Sequence, residues 1–70
     1  MVKEIELNCE IFRMDEDTFI ALNFDYNVFG TGPSPEESVK DLTDALERLG
    51  IAVDRELYQG LVMGWMLGQM

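Results

Sequence analysis

Seventy residues, 47% hydrophobic and 27% charged, with fourteen Asp plus Glu against five Lys plus Arg and a net charge of −9, describe one small acidic domain. That balance excludes an electrostatic nucleic-acid footprint, which needs clustered Lys and Arg to displace counterions. One cysteine and no histidine exclude an intrachain disulfide and a structural zinc cluster, so a partner subunit is the remaining way to reinforce so short a chain.

From Lys3 to Arg13 the residues alternate, with Ile5, Leu7, Cys9 and Ile11 on one side and Glu4, Glu6, Asn8 and Glu10 on the other. Period two over this length predicts a half-buried strand. Met14-Asp15-Glu16-Asp17 is a turn cluster, and Thr18-Phe19-Ile20-Ala21-Leu22 reads as the returning strand. After a loop at Asn23-Phe24-Asp25, Tyr26-Asn27-Val28-Phe29 reads as a third strand, ended by Gly30-Thr31-Gly32-Pro33. Three strands with short connections predict an antiparallel meander.

Ser34-Pro35-Glu36-Glu37 has the form of a capping box: a hydroxyl N-cap, proline at the first helical position and glutamate three after the cap. Val39, Leu42, Leu46 and Leu49, with Ala45 beside them, recur at helical spacing, and Gly50 is the natural stop. Pairs Glu36–Lys40 and Asp44–Arg48 are expected on the solvent side. The apolar stripe is expected to pack on Ile5, Leu7, Ile11 and Val28.

Ile51-Ala52-Val53 suggests a short fourth strand, after which Asp54 can cap a second helix from about Arg55 onward. That helix is unusual, because Gly60, Gly64 and Gly68 recur every four residues among Leu57, Leu61, Val62, Trp65, Met66 and Leu67. Glycine is the poorest helix former after proline, so three on one face suggest the close approach of another backbone. Residues Leu57, Gly60, Leu61, Gly64, Trp65 and Gly68 are therefore expected at the interface of a homodimer or higher oligomer, the alternative being that the helix folds back on its own sheet. The apolar run from Leu57 onward is too short for the ~20 residues a membrane span needs. Met1 leading into a charged alternating segment, with one unpaired thiol, suggests a cytoplasmic protein without a signal peptide.

No catalytic constellation assembles from these residues. Without histidine there is no Ser-His-Asp or Cys-His arrangement, and Cys9 sits on an apolar strand face with no base beside it. Asp15-Glu16-Asp17 lacks the spacing of a calcium loop, and Gly30-Thr31-Gly32 lacks the lysine of a phosphate loop. No enzymatic activity, metal or cofactor is expected.

The order of these features resembles a known family. Phe19-Ile20-Ala21-Leu22, Asn27-Val28-Phe29-Gly30-Thr31-Gly32 and Ser34-Pro35-Glu36-Glu37-Ser38-Val39-Lys40-Asp41-Leu42 look like HicB antitoxins. In that family a strand of the form v-A-l leads to a glycine-rich turn and a helix opening T-P-E-E-A-x-x-x-L. The resemblance covers about residues 3–50. It implies an α+β fold of the order β-β-β-α(-β)-α: a mainly antiparallel sheet packed on one long helix, related to a degenerate ribonuclease H fold without catalysis. One domain is expected over 1–70, with a β-β-β-α-β core at 1–53 and a C-terminal helix at 54–70. The implied partner is a small basic RNA-cleaving toxin of the HicA kind, met by Glu4, Glu6 and Glu10 on the acidic strand face. The chain departs from the family after Gly50, where twenty residues with Arg55 as their one basic group are too few and too uncharged for a DNA reader. Asn23-Phe24-Asp25 also replaces the prolyl loop often seen after the second strand. A stand-alone self-associating scaffold without a toxin is the alternative.

Overall fold

A computed structural model of the chain describes residues 8–68. It is an α+β unit with the order β1 (Cys9–Asp15), β2 (Thr18–Asn23), β3 (Val28–Gly32), α1 (Pro35–Arg48) and α2 (Arg55–Gly68). The three strands form an antiparallel meander in the order β1-β2-β3. Register slips between Arg13 and Asp15, and the Asp15 carboxylate accepts the Asp17 backbone N–H at 2.8 Å to close the first hairpin. In the second hairpin the Asn23 side-chain oxygen accepts the Tyr26 N–H at 3.0 Å. Asn27 there takes a left-handed φ of 53°, which asparagine tolerates better than most residues.

Pleat alternation and register place Cys9, Ile11, Phe19, Ala21, Asn23, Val28, Gly30 and Gly32 on one face. Both helices lie on that face. Cys9, Ile11, Phe19 and Ala21 form one core with Val39, Leu42 and Leu46 of α1 and Tyr58 and Val62 of α2. Trp65 meets Phe19 edge-on, with ring centres 5.4 Å apart.

α1 forms where its capping sequence lies. Ser34 is extended (φ −144°, ψ 161°) and its hydroxyl accepts the Glu37 N–H at 3.2 Å. At the other end Gly50 takes φ +82°, Gly50 N–H donates to Glu47 C=O at 2.9 Å and Ile51 N–H to Leu46 C=O at 3.1 Å. These two bonds are the Schellman pair, which left-handed glycine after the C-cap permits. Asp54 then caps α2, its carboxylate accepting from the N–H groups of Glu56 and Leu57 at 3.1 and 3.4 Å.

Several expectations are corrected. Residues 51–54 form no strand, so the described sheet has three strands. Ile51 and Val53 are instead half-buried against the core as an irregular connection, which gives them the same apolar signature. Tyr26 and Asn27 belong to the turn, and Gly30 lies inside β3, which runs on to end at Gly32. The reason is close packing: a Cβ on Gly30 would sit 2.1 Å from Leu42 N and 2.5 Å from Ser38 O, so only glycine lets α1 lie this near the strand. Both expected helices are present, fourteen residues each, and the sheet packs against the two of them instead of against one long helix. Leu49 is exposed, because the helix turns at Gly50 before that position reaches the core. Among the described residues, Asp44 pairs with Arg55 at 3.2 Å instead of Arg48, and Glu47 also meets Arg55, which ties α2 back to α1. The expected contacts to Ile5 and Leu7 lie outside the described residues.

Candidate functional site

Where β1, β2 and α2 meet, three polar side chains converge in the core. The Asn23 amide nitrogen donates to the Tyr58 hydroxyl oxygen at 3.1 Å and to Cys9 Sγ at 3.3 Å, and Cys9 Sγ lies 3.7 Å from that hydroxyl as its donor. Burial pushes the Cys9 thiol above its ordinary value. Burial, reinforced by the bond to Cys9, raises Tyr58 to about 12. A thiol held protonated is the reverse of an activated nucleophile. The cluster joins a strand, the central strand and α2, and it is structural.

A groove of about 460 Å³ runs between α1 and α2 over Val39, Thr43, Tyr58 and Val62, with Lys40 and Arg55 at its rim. Arg55 is held by Asp44 and Glu47, and the Tyr58 hydroxyl is committed to Cys9 and Asn23. The remaining lining residues offer no base paired with a nucleophile. Among the described residues no group of three or more His, Cys, Asp or Glu side chains can hold a metal ion. No helix among them is long and apolar enough to cross a membrane.

The face of the sheet opposite the helices carries Glu10, Phe12, Ile20, Leu22, Phe29 and Thr31, set side by side as Glu10–Leu22–Phe29 and Phe12–Ile20–Thr31. No element of the described chain covers it. Phe12 and Phe29 are 42% and 59% exposed and flank the half-buried Ile20 and Leu22 of the central strand. Exposed aromatics around a flat apolar centre are the composition of an interface core, with charge relegated to the rim.

Glu10, exposed on β1, stands at the edge of this face. Glu4 and Glu6 lie outside the described residues. The sequence-derived oligomer residues all fall on α2: Leu57, Leu61 and Trp65 are half-buried, whereas Gly60, Gly64 and Gly68 are exposed. Gly60, Leu61, Gly64 and Trp65 line one shallow depression together with Cys9, Glu10 and Ile11. The structure thus brings Glu10 beside four of the predicted oligomer residues. Sequence reasoning missed the open face itself. Its signal is the run Phe19-Ile20-Ala21-Leu22, apolar on both parities, as in a strand covered on two sides.

No protein-family model, curated protein or solved structure matches this chain.

Proposed function

We propose that this chain is a non-catalytic, HicB-like binding domain that uses the open face of its sheet to mask a small basic RNA-cleaving toxin of the HicA type. The carrying observation is the uncovered face of Phe12, Ile20, Leu22 and Phe29, bordered by Glu10, on a chain of net charge −9. Aromatic anchors in such a face supply affinity once desolvated, and the acidic field speeds encounter with a basic partner. The antiparallel meander, its glycines against α1 and the capped helix agree with the order of motifs on which the HicB resemblance rests.

The test is titration of a purified HicA-type toxin in an RNA-cleavage assay. Cleavage should fall stoichiometrically with added protein. Phe29→Ala should raise the dissociation rate at least tenfold, and Glu10→Lys should slow association while leaving dissociation little changed. Undiminished cleavage at tens of micromolar protein refutes the reading. A second reading, a stand-alone self-associating scaffold, is favoured by the uncovered apolar side of α2.

A further inference from the structure

The outer side of α2 poses a question that the fold of a single chain leaves open. α2 turns Tyr58 and Val62 into the core, and Leu61 and Trp65 are half-buried beside them. At 100° per residue, the opposite side of the helix is Gly60, Met63, Gly64 and Leu67. Met63 and Leu67 are 65% and 66% exposed. From Leu57 to Gly68 there is no charged residue, in a chain with fourteen acidic ones.

The glycines separate into two kinds. A Cβ on Gly30 or Gly32 would collide with α1, so those two are required by the chain's own packing. A Cβ on Gly60, Gly64 or Gly68 would meet nothing within 4 Å. Nothing among the described residues therefore requires glycine at these helical positions, where alanine is the better helix former.

Charge decides what covers this side. α2 itself carries no acidic group beyond its first turn, and Glu10 of β1 is a single carboxylate across the depression beside Gly60 and Gly64, so a basic partner would be drawn to the denser carboxylates elsewhere. An anionic lipid surface repels a chain of net charge −9, and the one basic residue of α2, Arg55, is already paired with Asp44 and Glu47. Two copies of the chain repel each other through most of their surfaces, and this neutral strip is where that repulsion opposes contact least. The strip is also self-complementary in shape. Met63 and Leu67 form a ridge beside the shallow track of Gly60 and Gly64, so a two-fold pairing sets each ridge in the other copy's track.

We infer that a second copy of this chain docks on the outer side of α2, with Met63 and Leu67 of each helix seated over Gly60 and Gly64 of the other. This deepens the self-association reading and is independent of whether a toxin is bound on the opposite side of the molecule.

The experiment is sedimentation equilibrium of the full chain from about 1 to 300 μM, at about 50 and 500 mM salt, for the wild type, Met63→Glu/Leu67→Glu and Gly60→Ala/Gly64→Ala. A dimer is expected in the wild type, and its Kd should fall severalfold at the higher salt as repulsion between the acidic copies is screened. The glutamate pair should raise Kd at least a hundredfold. The alanine pair should weaken the dimer at least tenfold while the circular dichroism melt of the dilute monomer stays unchanged or rises, since both sites face open space. A monomer throughout overturns both this inference and self-association. A dimer that survives both variants overturns the α2 contact while leaving self-association standing through another face. A dimer that weakens with salt overturns the neutral contact.

Discussion

α1 and α2 are each fourteen residues long and lie on the same face of the same sheet, yet they use their apolar residues differently. α1 sends Val39, Leu42 and Leu46 fully into the core and turns Glu36, Glu37, Lys40, Asp41, Glu47 and Arg48 to solvent. α2 is far richer in apolar residues but buries only Tyr58 and Val62 fully, leaving Met63, Met66 and Leu67 exposed. Apolar content and amphipathic order are thus distinct quantities. α1 is a helix whose every large apolar position, Leu49 excepted, is satisfied within the chain. α2 is only partly satisfied there, and its hold on the body rests on a few groups: Tyr58, Val62, the Trp65–Phe19 contact and Arg55.

The contrast is broken most severely at the seat of α1. Gly30→Ala forces a Cβ against the backbone at Leu42 and Ser38, and we expect a loss of about 4 kcal/mol or more, the extreme tail for single substitutions. Because a chain this size has only roughly 4–10 kcal/mol to lose, the variant should show no cooperative thermal unfolding transition.

Next comes truncation within the two helices. Leu46 is 1% exposed, and Leu46→Ala should cost about 2–5 kcal/mol by urea denaturation. Val62→Ala removes fewer methyl groups from a less enclosed site and should cost about 1–2 kcal/mol. Equal losses at the two positions would mean that α2 is as firmly seated as α1.

Tyr58→Phe keeps the ring and removes one hydrogen-bonding group from the buried cluster. Asn23 retains Cys9 as a weak acceptor, so the expected loss is about 1 kcal/mol. The smallest effect at ordinary pH is the titration of the same cluster. Cys9 and Tyr58 hold their protons more tightly in the folded chain than in the unfolded one, whose values are near 9.0 and 10.0. In that window the unfolded state carries fewer protons, so stability falls as pH rises. Their contribution is whole below pH 9 and is lost as pH climbs toward about 12, the folded value of Tyr58. Denaturation midpoints measured from pH 8 to 11 should decline, and the decline should be shallower in Tyr58→Phe.

What the sequence made legible follows the range of the interactions involved. The start of α1 at Ser34-Pro35, its stop at Gly50 and the Asp54 cap are local bonds between neighbours, and all three stand where the residues place them. The sheet order and the burial of Val39, Leu42 and Leu46 follow from periodicity. Features that depend on distant residues were not legible. Asn23 reads as a loop residue until Tyr58, thirty-five positions away, arrives to bond it. Gly30 reads as turn punctuation until α1 settles on it. Ile51 and Val53 read as a strand because an extended segment packed on a core and one paired in a ladder have the same composition. In the sequence-derived site, Glu10 and the α2 residues were singled out separately, and only the fold sets them around one depression. The open aromatic face went unread because it depends on both helices choosing the same side.

The buried Cys9–Asn23–Tyr58 junction also gives the molecule an intrinsic clock. Cys9 is the chain's single cysteine and is closed off by the residue that fastens α2. Cys9 is buried beneath Tyr58, so labelling by a thiol reagent should accelerate when α2 swings away or the whole chain unfolds, and it records such openings. With fast reclosing, the modification rate divided by that of an unfolded peptide is the fraction of time Cys9 is uncovered. If the two helices differ in anchorage as their packing implies, that fraction exceeds the globally unfolded fraction, and α2 lifts from the body many times for each time the body comes apart.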